Sequence, residues 1–156
     1  MSIASRIKWY LDSRGISYEC VHHARTGTSL ATAREAHVPA DDLAKCVLLE
    51  DERGYVLAIL PASRRLDLRK IERYFHRRLE LASEAELRDI FRDCEVGAVP
   101  ALGMAYNVPT LLDDHLLGLS HLFFEAGDHE DLVHLSGLAF RALLADTPHG
   151  EITTTY

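Results

Sequence analysis

The chain has 156 residues, 47% of them hydrophobic and 26% charged, with a formal net charge of −7. That length suits one domain with a single core, and the composition is an ordinary globular balance. No apolar run approaches the roughly 20 residues of a membrane span, the first residues lack the basic-then-apolar pattern of a secretion signal, and the acidic average argues against unspecific nucleic-acid binding. In chain order, Ile3, Ile7 and Leu11 predict a first helix that Gly15 can stop. Ile16, Tyr18 and Cys20 then alternate with polar residues as in a half-buried strand. His22-His23-Ala24-Arg25 leads into Thr26-Gly27-Thr28, a loop and helix cap for an alanine-rich helix from about Ser29 to Ala36 that Pro39 blocks.

Lys45 opens an apolar run, Lys45-Cys46-Val47-Leu48-Leu49, followed by the turn Asp51-Glu52-Arg53-Gly54 and a second apolar strand from Tyr55 to Leu60. Strand side chains alternate faces, so Lys45 shares a face with Val47 and Leu49. A lysine entering an apolar sheet must reach water, find an anion or lose its proton, because burying a bare ammonium is very costly.

Between Arg64 and Arg78 there are seven basic residues against Asp67 and Glu72, a local +5 that leaves −12 on the remainder. Arg65, Arg69, Arg73 and Arg77 recur every four residues, with Leu68, Ile71 and Phe75 on another side. One helix carrying that pattern presents a basic stripe outward, suited to a phosphate backbone, or paired with acidic neighbours as a solvated face. Leu79 to Leu81 reads as a short strand, and Ser83 with Glu86 has the spacing of a capping box opening a helix through Phe91.

Gly97-Ala98-Val99-Pro100-Ala101-Leu102-Gly103 is a compact loop whose backbone amides suit a carbonyl oxygen or oxyanion. Val108 to Leu112, His121 to Glu125 and Leu132 to Leu135 predict further short strands, and a last helix covers about Leu138 to Leu144. The tail from Thr147 has little apolar content and is expected to fray. Short strands and helices in irregular order predict one mixed α/β (α+β) domain over residues 1–156, not a doubly wound sheet.

GxGxxG, the P-loop, GxSxG and HExxH are all absent, so no nucleotide cradle or serine-hydrolase elbow is visible. His115, His121, His129 and His134 lie close in sequence to Asp128 and Asp131, but their spacings fit no standard ligand pair. The expectation is therefore no metal and no cofactor. Cys20, Cys46 and Cys94 are odd in number and sit in apolar surroundings; they read as buried free thiols of a cytosolic protein.

The segments Ala44-Lys45-Cys46-Val47-Leu48, Val56 to Ala62, Leu66-Asp67-Leu68, Cys94 to Pro100 and Asn107-Val108-Pro109 with Asp113 resemble, in order and spacing, the YbaK / prolyl-tRNA synthetase-associated editing domain family. That resemblance covers roughly Ile3 to Leu144 and implies a curved mixed sheet flanked by helices. It implies removal of wrongly attached amino acids from tRNA, with Lys45 in the active site. The family's G-x-x-x-P loop holds the aminoacyl end; Gly97 matches its glycine, while Ala101 stands at its proline and Pro100 lies one residue earlier. Its later histidine is matched most closely by His129, with His134 as rival, and His23 matches an earlier one whose following proline is Ala24 here.

The resemblance thus implies Lys45, Gly97 and His129 as catalytic, with His23, Ala98, Val99, Pro100, Ala101 and Gly103 against the substrate. Arg65, Arg69, Arg73 and Arg77 are the candidate tRNA contacts. The expected protein is a cytoplasmic, free-standing deacylase with aminoacyl-tRNA as partner and an aminoacyl-tRNA synthetase as an optional second. The alternatives are a noncatalytic tRNA- or aminoacyl-ligand-binding module of the same fold, and a metal-dependent hydrolase built on the late histidines.

Overall fold

The computed structural model describes residues 3–156. Helix α1 (Ser5–Ser13) buries Ile7, Tyr10 and Leu11, the face that the three-to-four spacing of its apolar residues defines. Strand β1 (Glu19–His22) follows, starting later than Ile16, and helix α2 (Ser29–Glu35) is capped by Thr28, whose hydroxyl accepts from the Ala31 amide. Strands β2 (Leu43–Asp51) and β3 (Gly54–Pro61) form the predicted hairpin, with Asp51 opposite Gly54. Gly54 takes the positive φ of +127° that this tight turn needs.

After β4 (Arg64–Leu66), α3 (Leu68–Phe75) and β5 (Glu80–Leu81) comes α4 (Glu84–Ile90), which carries the Ser83–Glu86 capping box in full. Strands β6 (Thr110–Asp113), β7 (His121–Glu125) and β8 (Asp131–Ser136) then precede α5 (Gly137–Leu143). Eight strands make one mixed sheet, in the order β1-β8-β7-β2-β3-β6 and then β9 (His149–Gly150), with β5 also on β2. The β7–β2 and β3–β6 joins are parallel, and the hairpin pairs are antiparallel.

Both faces of the sheet are covered. Leu57 and Ile59 of β3 point into the main core with Phe91, Phe124 and Phe140, while Val56 and Ala58 point to a second cluster with Ile71. Strands buried on both sides read as continuous apolar runs, as β3 does. A third cluster, Leu43, Phe123, Leu132 and Ala33, seats α2 against β2, β7 and β8.

Three expectations change. The tail does not fray: β9 pairs with β6, and β10 (Thr153–Thr155) pairs with β4. Its anchor is Asp113, fully buried, which accepts from the Ile152 amide at 3.0 Å and the Thr153 hydroxyl at 3.2 Å, while Ile152 itself is fully buried. Backbone pairing and one apolar plug hold a segment whose composition looked too polar to fold. Second, the arginine stripe does not lie on one helix. Arg65 is on β4, and α3 ends at Phe75, where His76 takes a left-handed φ of 54°. Arg77 lies beyond that cap, with its guanidinium across both carboxylate oxygens of Asp51 at 2.7 and 2.5 Å. Third, Cys20 is exposed rather than buried, because β1 is an edge strand of the sheet.

Candidate active site

A cleft of about 250 Å³ opens between the start of α2 (Gly27, Thr28, Ser29), β2 (Lys45, Cys46), Leu87 of α4, Gly97 and Val99 of the glycine loop, and Glu125 at the end of β7. The parallel β2–β7 register pairs Leu43 with Phe123, both in the third apolar cluster. Two residues further on, alternation returns Lys45 and Glu125 to that same face. The hairpin thus delivers a cation, and the neighbouring strand an acid, to one end of the sheet.

Lys45 is half-buried, and its Nζ donates to the Tyr156 hydroxyl at 2.7 Å, with the Tyr156 ring centroid 5.1 Å away. Among the described residues no carboxylate stands within the 4.0 Å of an ion pair with it. Its charge is therefore available to an anion or a carbonyl oxygen entering the cleft.

The loop is fastened from behind. The Glu95 amide donates to the Gly127 carbonyl at 2.7 Å, and Arg25 forms an ion pair with the Glu95 carboxylate. The Ala98 amide donates to the Glu95 carbonyl at 3.0 Å, whereas the amides of Gly97 and Val99 have no acceptor among the described residues. Gly97 has φ +86°, and a Cβ there would sit 3.1 Å from His129 Cε1. Glycine is required at this point by both the backbone conformation and the packing.

His129 is buried behind the loop, and its Nε2 donates to the Val96 carbonyl at 2.6 Å. It is not among the residues lining the cleft; it braces the loop from the far side. Ala98, Pro100, Ala101 and Gly103 are likewise buried beneath the loop, and only Gly97 and Val99 reach the cleft wall. Gly103 has a packing reason of its own, since a Cβ would come within 2.2 Å of Thr110 Oγ1. Ala101, where the resemblance expects proline, is fully buried and faces the core.

His23 is buried at the end of β1, its Nδ1 donating to the Ala24 carbonyl at 2.7 Å and its Nε2 without a partner among the described residues. His134 lies elsewhere, stacked on Phe123 at 4.3 Å with its Nε2 2.9 Å from His121 Nδ1. Among the described residues no group of three or more histidine, cysteine or acidic side chains is arranged to hold a metal.

Glu125 and Tyr156 were not singled out by the sequence. Glu125 is 4% exposed; burial, the main cause, pushes its carboxyl up to about 7, with the Thr32 hydrogen bond opposing it and the Asp128 charge adding a smaller upward push. Its signal in the sequence was a lone acid closing the apolar run His121-Leu122-Phe123-Phe124. Cys46, although it lines the cleft, is no nucleophile, because burial raises its thiol far above the ordinary range. Cys94 is pushed up to about 12, again mainly by burial.

The basic side chains divide into spent and available. Arg64 donates to Thr153, Lys70 pairs with Glu151, Arg78 with Glu72 and Arg77 with Asp51. Arg65, Arg69 and Arg73 are exposed and have no partner among the described residues. Arg65 sits opposite Thr154 on the β4–β10 ribbon, two residues from the Tyr156 that touches Lys45.

The sequence matches the aminoacyl-tRNA editing domain family over residues 23–143. The chain belongs to that family. A family-level role in aminoacyl-tRNA editing follows, in line with its YbaK-like fold. No curated protein matches the chain. Among solved structures it is similar to a candidate trans-editing enzyme for prolyl tRNA synthetase, with 24% identity, a TM-score of 0.81 and coverage of 97% of this chain and 96% of that one. It is also similar to a hypothetical protein, with 17% identity, a TM-score of 0.84 and coverage of 96% and 100%. A candidate signal transduction protein from Marinobacter aquaeolei VT8 shares the fold at 19% identity and a TM-score of 0.78; 98% of this chain is covered and 31% of that longer one. At these identities the structural likenesses speak for the fold. No helix among the described residues is long and apolar enough to cross a membrane.

Proposed function

We propose that the chain is a trans-acting aminoacyl-tRNA deacylase that hydrolyses the ester between a small noncognate amino acid and the terminal ribose of tRNA. The observation that carries this reading is Lys45, a cation without a carboxylate partner, in a cleft whose wall includes Gly97 and Val99, two loop residues whose amides have no acceptor among the described residues. Water attacks the ester carbonyl carbon, and negative charge develops on the carbonyl oxygen. The Gly97 and Val99 amides donate to that oxygen, an effect often worth about 3 kcal/mol per donor. The bond to the ribose oxygen then breaks, that oxygen takes a proton to become a hydroxyl, and the amino acid leaves as a free acid.

Protonated Lys45 holds the terminal phosphate or polarises the carbonyl, and the anionic substrate compensates its charge in the half-buried site. His129 acts as a positioning residue that keeps Gly97 in its left-handed conformation. The cleft, at about 250 Å³, is small for an amino acid with a long side chain. Arg65, Arg69 and Arg73 take the phosphates of the tRNA body; Arg77, held by Asp51, has less to offer. The similarity to a candidate trans-editing enzyme for prolyl tRNA synthetase supports mischarged tRNA as substrate, with that synthetase as an associated partner.

Incubating the protein with a panel of mischarged tRNAs in chelator-containing buffer tests the proposal. Turnover of one or a few esters is expected. Tight tRNA binding without turnover of any ester would identify a binding module instead, and activity lost to chelator would indicate a metal-dependent hydrolase.

A further inference from the structure

Glu125 is the most isolated charge-bearing side chain of the cleft. One carboxylate oxygen accepts from the Thr32 hydroxyl at 3.5 Å, a long contact, and the other, Oε1, is buried with no hydrogen-bond partner among the described residues. A buried acceptor left open costs stability unless something completes it. No lysine, arginine or histidine stands within ion-pair distance of it among the described residues. The groups that do face it are Thr32 of α2, Cys46 of β2, and Asp128 in the turn after β7. The first is neutral, the second is held as a neutral thiol, and the third adds negative charge. All of them leave the site short of a cation.

The cleft is therefore polarised, with an unneutralised cation at Lys45 and an unneutralised acid at Glu125, both on its wall. An aminoacyl ester on tRNA has the opposite arrangement, with phosphate and carbonyl oxygens on one side of the ester carbon and an α-ammonium on the other. We propose that Glu125 binds the α-ammonium of the aminoacyl group, so that the cleft accepts amino acids with a free amine and rejects their N-acylated forms. This assignment rests on the deacylase reading and narrows its substrate class. An incoming ammonium supplies both the missing hydrogen-bond donor and the missing counter-charge, a charge-assisted pair in a water-poor site. Burial raises the carboxyl to near neutrality when the site is empty, so a bound cation draws it to the ionised form. An N-acyl group offers no charge and brings added bulk against a nearly closed wall.

A test that needs no turnover compares two ligands, 3′-alanylamino-3′-deoxyadenosine and its N-acetyl derivative, whose amide linkage the enzyme does not hydrolyse readily. Dissociation constants for the full chain are measured with wild type, Glu125→Gln, Glu125→Asp and Lys45→Ala. Wild type is expected to favour the free amine by about 10- to 100-fold, the range of a hydrogen bond to a charged group. Glu125→Gln should weaken only the free-amine ligand and bring the two within about threefold, Glu125→Asp should fall between, and Lys45→Ala should weaken both ligands while keeping their ratio. Gln has the shape of Glu and removes a buried charge, so a melting temperature no lower than that of wild type certifies the fold. If Glu125→Gln weakens both ligands equally, or neither, the assignment is overturned and a general base or a packing role replaces it. Equal binding of both ligands by wild type overturns the assignment alone, while binding of neither ligand overturns the deacylase reading as well.

Discussion

The Lys45 cleft and the cluster around His121 and His134 both gather ionisable side chains on the same sheet, and they differ in what those side chains are paired with. In the cluster, His121 Nδ1 lies 2.9 Å from His134 Nε2, Asp42 stands 3.7 Å from His121, Glu19 stands 3.3 Å from His134, and Phe123 stacks beneath. Each polar group there has a protein partner. In the cleft, Glu125 Oε1 is unpaired, Lys45 has only a phenol, and two loop amides point at no acceptor among the described residues. Polar groups that satisfy one another belong to the architecture, whereas buried groups left open persist where a ligand completes them. His121 and His134, two of the four late histidines that lie close together in sequence, fall in the half whose polar groups satisfy one another.

The contrast can be broken experimentally. Replacing Lys45 by Ala should cut deacylation by at least about 100-fold, a drop comparable to removing one charge-stabilising donor; circular dichroism and melting should show the fold retained. Gly97→Ala meets a left-handed backbone and an approach of 3.1 Å to His129. It should lower stability by about 1–2 kcal/mol and turnover by roughly tenfold, read as melting temperature and single-turnover rate.

The open carboxyl of Glu125 should itself be measurable. Its folded-state pKa is raised, so its contribution is fully present below the ordinary carboxyl value and is lost as pH rises through about 7. Urea titrations of wild type should therefore show stability falling between about pH 5 and 7, by at most about 3 kcal/mol. Glu125→Gln should flatten that fall and be the more stable protein at pH 8.

Smaller effects should follow at the periphery. Changing Arg65, Arg69 and Arg73 together to Gln should weaken tRNA binding and flatten its salt dependence, by about 0.7–0.9 in slope for each phosphate no longer neutralised. An unchanged slope would return these arginines to an ordinary solvated face. Smallest of all, His121→Ala with His134→Ala should leave turnover untouched and cost about 1 kcal/mol of stability in a denaturant titration. Abolished activity in that double variant would reverse the contrast between the two regions.

Much of the fold was legible because its signals are local. The Thr28 cap, the Ser83–Glu86 box, the β2–β3 hairpin and the strand His121–Glu125 all follow from adjacent residues. What stayed hidden depends on distant segments meeting. Asp113 ties down Ile152 and Thr153 some forty positions away, and no property of the tail's own composition announces it. A four-residue spacing placed Arg65 to Arg77 on one helix, but His76 ends that helix before Arg77 turns back to Asp51.

In the site, Lys45 and Gly97 stood out as a misplaced charge and a flexible loop, each odd in its own neighbourhood. Glu125 was hidden because an acid at the end of a strand looks solvated until α2 and β2 close over it. Tyr156 was hidden because its meeting with Lys45 depends on the β4–β10 pairing. The family resemblance pointed to His129; whether it faces the cleft or, as here, the back of the loop depends on a turn that the sequence leaves open.

The most direct test of the Lys45 cleft is the single-turnover deacylation of a mischarged tRNA by wild type and by Lys45→Ala, with tRNA binding measured on the same samples. Wild type should cleave and the variant should not, with binding weakened far less than turnover. A Lys45→Ala protein that cleaves as fast as wild type would contradict the role given to Lys45.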